Sequence, residues 1–259
     1  MTQRSAVEVA PGVVVMTSSK YDTTSTIVRR GSSVLLIDPA WTTAELDGIV
    51  VWLADHDCTV TAGFATHAHH DHMLWHPEFG DAPRWASEKS AEMAVEWRDE
   101  LVAMLDPYPP EWPNPLDGIR AVAGSTLLSP FGTDGDEAIE LVVHDGHAPG
   151  HTAVLLADRG VLLAGDMLSD IELPLPFGPD DLPVYLDALD RLAPVVRRAQ
   201  VLVPGHGRPT NNPLARLDAD RHYLAAVIAG RDPNDQRRGL KGMAAAHAKI
   251  VGLAAAMRD

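Results

Sequence analysis

The segment Thr66-His67-Ala68-His69-His70-Asp71-His72 sets histidines and a carboxylate at the spacing H-x-H-x-D-H. It follows TVTAGFAT, a β-branched run that reads as a strand. In extended backbone His67, His69 and Asp71 share one face by the period of two, and a turn at Asp71 and His72 swings the next ring toward the same cavity. Neutral imidazoles with a carboxylate are borderline donors suited to zinc; iron, manganese and cobalt accept the same set. The competing reading, polar residues in a solvated turn, is disfavoured by the rarity of the string.

Three further strand ends carry matching groups. Pro149-Gly150-His151-Thr152 precedes the strand TAVLLAD, Leu163-Ala164-Gly165-Asp166 ends the strand after it, and Pro204-Gly205-His206-Gly207 ends a fourth. In each, glycine lets the chain turn tightly beside a neighbouring group. Taken singly each reads equally well as a structural turn; beside H-x-H-x-D-H they read as donors converging on one site.

The elements that position them follow from periodicity. GVVVMT (12–17), TSTIVRR (24–30) and SVLLID (33–38) predict a meander of strands. Thr42 with Glu45 forms a capping box, so a helix should run to about residue 56. A helical pattern covers 87–105, and the five prolines between Asp106 and Gly118 then exclude helix and central strand. Strands resume at AIELVVH (138–144), TAVLLAD, VLLAG (161–165) and VLVP (201–204). Helices are expected over 180–193, 213–229 and 240–257, and no linker divides the chain, so residues 1–259 read as one domain.

Taken in order, these motifs resemble the metallo-β-lactamase superfamily over about residues 10–210. The resemblance implies an α/β fold, a four-layer αβ/βα sandwich with a metal site at the edge between two sheets. It further implies that His67, His69 and His151 hold one metal, that Asp71, His72 and His206 hold a second, and that Asp166 bridges them. The implied cofactors are two Zn2+, with iron or manganese as alternatives. Ions about 3.5–4 Å apart share a water and lower its pKa to near 7, supplying a bridging hydroxide. Asp71 would orient it and pass a proton to the leaving group.

The expectation is a metal-dependent hydrolase for a small ester, lactone or thioester. An iron-dependent redox or oxygenase member of the fold, and a β-lactam or phosphodiester hydrolase, stay open as alternatives. Bridging by Asp166 resembles glyoxalase II and the lactonases. Yet Met167-Leu168-Ser169 lacks the tyrosine that lactonases place there, and the Gly-Cys-Gly-Arg of glyoxalase II is absent.

An insertion at about 73–130 carries Trp75, Trp85, Trp97, Tyr108 and Trp112. Trp75 and Trp112 are expected to form a lid over the metals, and Phe177 in Ile171 to Phe177 a further apolar wall. Trp85 and Trp97 read equally as core. Asp38 is expected at a turn or beside the site, and His70 should point away from it. His147 reads as a strand-end surface residue in preference to a neighbour of the metals. His56, His76, His144, His222 and His247 read as ordinary surface residues.

Composition removes other classes. Thirty-six acids against 21 bases give a formal charge of −15, which disfavours nucleic acid as partner. No run approaches the roughly 18 apolar residues of a membrane span. The start MTQRSAVEVAPGVVVM lacks a continuous apolar stretch, so a cytoplasmic protein acting on a small molecule is expected. Lone Cys58 excludes an internal disulfide and reads as a core residue, and the oligomeric state is open.

Overall fold

The computed structural model describes residues 5–105, 108–128, 130–131, 139–176 and 181–257. Seven strands form one sheet in chain order: β1 (Ala6–Ala10), β2 (Val13–Thr17), β3 (Thr24–Arg30), β4 (Ser33–Ile37), β5 (Thr59–Phe64), β6 (Arg84–Ser87) and β7 (Ile119–Val122). The first four pair antiparallel, as the expected meander requires, and β4 to β7 pair parallel. The second sheet has the order β12-β11-β10-β9-β8, from β8 (Thr126–Leu127), β9 (Ile139–His144), β10 (His151–Leu156), β11 (Val161–Leu163) and β12 (Val201–Val203).

Both sheets are apolar on each face, and the period of two divides the faces between layers. Val13, Val15, Val28, Leu35 and Ile37 meet Leu141, Val154, Leu156, Leu163 and Val203 in the core between the sheets. The alternate residues Val14, Met16, Ile27 and Leu36 pack on helix α1 (Thr43–Asp55). On the far side Ala153, Leu155, Leu162 and Leu202 pack on α4 (Leu182–Val196), α5 (Pro213–Ile228) and α6 (Met243–Ala256), which follow the short α2 (Glu88–Glu96) and α3 (Arg98–Ala103). The result is helix, sheet, sheet, helix: the expected four-layer sandwich.

Local signals set the element starts. The Thr42 side chain accepts from Glu45 N–H, and the Glu45 carboxylate accepts from Thr42 N–H, completing the capping box. Glu45 also accepts from Ser18 Oγ and Ser19 N–H at 2.9 Å, which ties the β2–β3 turn to the same helix end.

Two expectations change. The 87–105 helix breaks at Trp97, whose φ of −105° and ψ of 24° end α2 before α3 begins. The insertion also does not stand apart: it adds β6 and β7 to the first sheet and β8 to the second. Four-residue strands such as Arg84–Ser87 are too short to show a period, and their pairing with residues far along the chain decides them. Cys58 is half-buried, its thiol donating to the His56 carbonyl. Among the described residues no helix is long and apolar enough to cross a membrane.

Candidate metal centre

The end of β4 organises the H-x-H-x-D-H loop. Ile37 pairs with Phe64, so Asp38 and Ala65 leave the sheet side by side. Asp38 accepts from Thr66 N–H at 2.8 Å, from Thr66 Oγ1 at 2.7 Å and from His72 Nδ1–H at 3.0 Å, clasping both ends of the loop. Asp38 itself has φ +49°, a left-handed backbone that aspartate tolerates better than most residues. This is the site-side role expected for it.

The clasp also fixes ring tautomers. Thr66 Oγ1 spends its only hydrogen on Asp38, so it accepts from His67 Nδ1–H at 3.0 Å and leaves His67 Nε2 as a lone pair. His72 Nδ1 donates to Asp38, and His206 Nδ1 donates to the Tyr21 carbonyl at 3.0 Å. Each arrangement directs a bare Nε2 inward, as a metal-ligating histidine requires.

Two donor groups result. His69 Nδ1 lies 2.9 Å from His67 Nε2 and 3.2 Å from His147 Nε2, and Asp166 Oδ2 lies 3.5 Å from each of those two Nε2 atoms. Donors bound tetrahedrally to zinc at 2.0–2.1 Å stand about 3.3 Å apart, so these spacings fit one ion. In the second group Asp71 Oδ2 is 3.4 Å from His72 Nε2 and 3.2 Å from His206 Nε2. Asp166 Oδ1 is 3.1 Å from His72 Nε2, and Asp166 Oδ2 is 3.2 Å from His206 Nε2, so this carboxylate faces both groups. His72 Nε2 and Asp166 Oδ1 are buried with no hydrogen-bond partner, an expensive state that a cation relieves.

Electrostatics separates the groups. Burial, then the neighbouring rings, lowers His69 well below its ordinary value, and burial lowers His147 to about 3, so these imidazoles stay neutral lone-pair donors. At His72 and His206 burial acts downward but the carboxylates, Asp166 foremost, outweigh it and raise both rings. Burial acts upward on Asp71, yet the His72 and His206 rings hold its carboxyl well below the usual range. Burial pushes Glu172 up to about 7.

Of the sequence-derived donors, the structure brings together His67, His69, Asp71, His72, Asp166 and His206, with His147 as a seventh. His151 stands outside both groups. Its Nε2 accepts from Asp166 N–H at 3.0 Å and its Nδ1 lies 3.2 Å from His144 Nε2. The ring packs on the Gly165 backbone so closely that a Cβ there would come within 2.5 Å of Nε2. His151 thus lies behind the donor groups, its ring held by His144 and the Asp166 backbone.

The expectation of a surface His147 is corrected by its burial, and the same holds for His144 and His76. His76 caps the turn at Pro77–Phe79 and faces Asp47. His70 turns out of both groups, its ring edge-on to Trp41 at 5.0 Å.

The proposed lid residues lie elsewhere. Trp75 packs against Gly63, Phe79 and Arg84, and Trp112 against His76 and Tyr108, within the apolar layer on the α1 side of the first sheet. An aromatic side chain gains more from that burial than from standing in water beside a polar site. Phe177 lies outside the described residues. Among the described residues, Tyr21 holds His206 through its carbonyl, and Trp41 packs against His70 of the donor loop. Lys20 Nζ lies 4.3 Å from the Trp41 ring centre, and Lys241 Nζ lies 5.5 Å from that of Tyr21. Sequence reading missed both aromatics, His147 and Glu172; only the H-x-x-x-H spacing of 147 and 151 hinted at one of them.

The family model of the metallo-beta-lactamase superfamily matches residues 20–206. Among solved structures, the chain is similar to a metallo-beta-lactamase family protein from Thermus thermophilus, 22% identical, with a TM-score of 0.63 over 96% of this chain and 93% of that one. A beta-lactamase domain protein from Burkholderia ambifaria is 20% identical, with a TM-score of 0.62 over 88% and 75%. The metallo-beta-lactamase FIM-1 from Pseudomonas aeruginosa, in its mono-zinc form, is 19% identical, with a TM-score of 0.61 over 84% and 96%. No curated protein matches the chain. The chain belongs to the metallo-β-lactamase superfamily, a class of metal-dependent hydrolases, and carries its His/Asp metal-binding clusters.

Proposed function

We propose that the protein is a binuclear metallohydrolase that cleaves a small carboxylic ester, lactone or thioester. The observation that carries this reading is the position of Asp166, whose two carboxylate oxygens lie within 3.5 Å of four imidazole nitrogens from both groups. His67, His69 and His147 would hold one cation, for which zinc is the best match. Asp71, His72 and His206 would hold the second, and Asp166 would serve both. Cations held there act as Lewis acids and make hydroxide available near neutral pH.

The chain's own residues do the rest. Asp71, ionised between His72 and His206, orients the attacking water and carries its proton to the leaving group. Asp38 keeps His72 fixed and, through Thr66, His67. At the rim the exposed Tyr21 ring, tilted against the buried Trp41, offers an apolar contact to an acyl chain, and Lys20 and Lys241 lie over those rings, suiting a substrate that also bears negative charge. We read the chain as one domain, because the C-terminal helices close the outer layer of the second sheet.

Metal-loaded protein is to be assayed on lactones, thioesters, p-nitrophenyl esters, phosphodiesters and β-lactams. Turnover of the carboxylic substrates is expected, fastest where the acyl part is anionic. A second reading, an iron-dependent redox enzyme, draws on the two histidines and one carboxylate of the second group. Stoichiometric iron with oxygen consumption and no ester turnover would replace the hydrolytic reading by that one.

A further inference from the structure

We propose that Glu172 is a further protein donor to the second cation and makes that position an oxygen-rich site of more than four ligands, suited to Mn2+; this rests on the binuclear reading. Asp166, Glu172 and His206 each offer a donor atom, and these atoms lie within 4.8 Å of one another. Opposite ligands across a metal at about 2.1 Å stand about 4.2 Å apart, so a small rotation of the glutamate side chain completes the approach. Asp166 Oδ1, the other oxygen of that carboxylate, is buried without a hydrogen-bond partner on a residue only 8% exposed.

The glutamate is placed there by construction. Ser169 Oγ donates to the His206 carbonyl at 2.6 Å and accepts from the N–H groups of Ile171 and Glu172 at 3.1 and 3.0 Å, so the segment turns around the His206 backbone. From the other side Arg237 Nη1 donates to the carbonyls of Ser169 and Glu172, both at 2.9 Å. Arg237 is in turn held by Asp220 at 2.6 Å and Asp235 at 2.7 Å. Asp220, Asp235 and Arg237 all lie beyond residue 206, outside the part of the chain that the family model matches. A buried ion pair from the C-terminal helices thus fixes the backbone that presents Glu172 to the donor groups.

The chemistry follows from counting donors. Three imidazoles and one carboxylate in the first group make a four-coordinate zinc set. With Glu172 the second group has His72 and His206 together with the carboxylates of Asp71, Asp166 and Glu172. Carboxylate-rich sets with a higher coordination number suit Mn2+, and geometry is the means by which a protein offsets the intrinsic advantage of zinc.

The test uses metal-free protein given one equivalent of Zn2+ and then titrated with Mn2+, followed by electron paramagnetic resonance and elemental analysis. One bound Mn2+ beside one Zn2+ is expected. Glu172→Gln should weaken that Mn2+ binding about tenfold or more. Its Co2+ derivative should absorb more strongly in the visible, as coordination falls toward tetrahedral. Wild-type protein that takes no Mn2+ after the first Zn2+ overturns the proposal, whatever the variant does, and so does equal Mn2+ affinity in the two proteins. Failure to take any second cation, zinc included, would instead sink the binuclear reading itself.

Discussion

His147 Nε2 lies 3.2 Å from His69 Nδ1, whereas His151, four residues on, turns its Nε2 to the backbone N–H of Asp166. The two rings are both buried and close in sequence, yet they have different work to do. His147→Ala should therefore lose the zinc of the first group and lower turnover by at least about 100-fold, more than the 10–100-fold of losing a ligand's supporting partner. His151→Ala should keep measurable zinc while unfolding at lower denaturant concentration. Elemental analysis of both variants decides the matter: zinc retained by His147→Ala and lost by His151→Ala would reverse the assignment.

Asp38 touches no proposed cation but holds the loop that carries four of the donors. Asp38→Ala frees the His72 ring and leaves Thr66 without its acceptor. Metal affinity should fall about 10–100-fold, read by competition with a chromophoric chelator. Unchanged affinity would mean that packing alone orients His72.

Gly205 sits under the shared carboxylate. A Cβ at this position would collide with Asp166 Oδ1 and come within 2.9 Å of the Gly165 carbonyl carbon. Gly205→Ala should displace Asp166, cost about 1–3 kcal/mol of stability through overpacking, and remove the second cation before the first. Denaturant unfolding with metal counting checks both parts, and a variant binding two cations as tightly as wild type would show that Asp166 has room to move.

Burial lowers His144 to about 4 from an ordinary 6.5. A depressed folded-state value means that the native state binds fewer protons than the unfolded chain. The stability this contributes is complete above about pH 6.5 and is lost as pH falls through about 4, to a total of about 3 kcal/mol. Urea unfolding of metal-free protein at pH 7 and pH 4.5 should show a steeper acid loss in wild type than in His144→Gln. Equal slopes would remove His144 from the acid response.

Much of this molecule is legible from residue order alone. The β-branched runs in Val13 to Thr17 and in Ser33 to Ile37 announce strands buried on both faces, and Thr42 with Glu45 announces the start of α1. The donor types and their places at strand ends are equally plain, because metal chemistry demands histidine and aspartate and tight turns demand glycine. What spacing does not state is which nitrogen faces which neighbour. His151 pairs with His144 across β9 and β10, so the ladder fixes its ring against Gly165, while His147 lies in the connecting loop and turns inward. Trp75 and Trp112 went to the α1 side, and Trp85 to the core between the sheets, for a related reason: β6 and β7 joined the first sheet through pairings too short to show a period. Glu172 reached the donor groups only because Arg237, 65 residues away, holds its carbonyl. Local sequence determined the elements and the chemistry on offer; contacts between distant segments decided which side chains share the site, since burial and hydrogen-bond satisfaction are settled only when those segments meet.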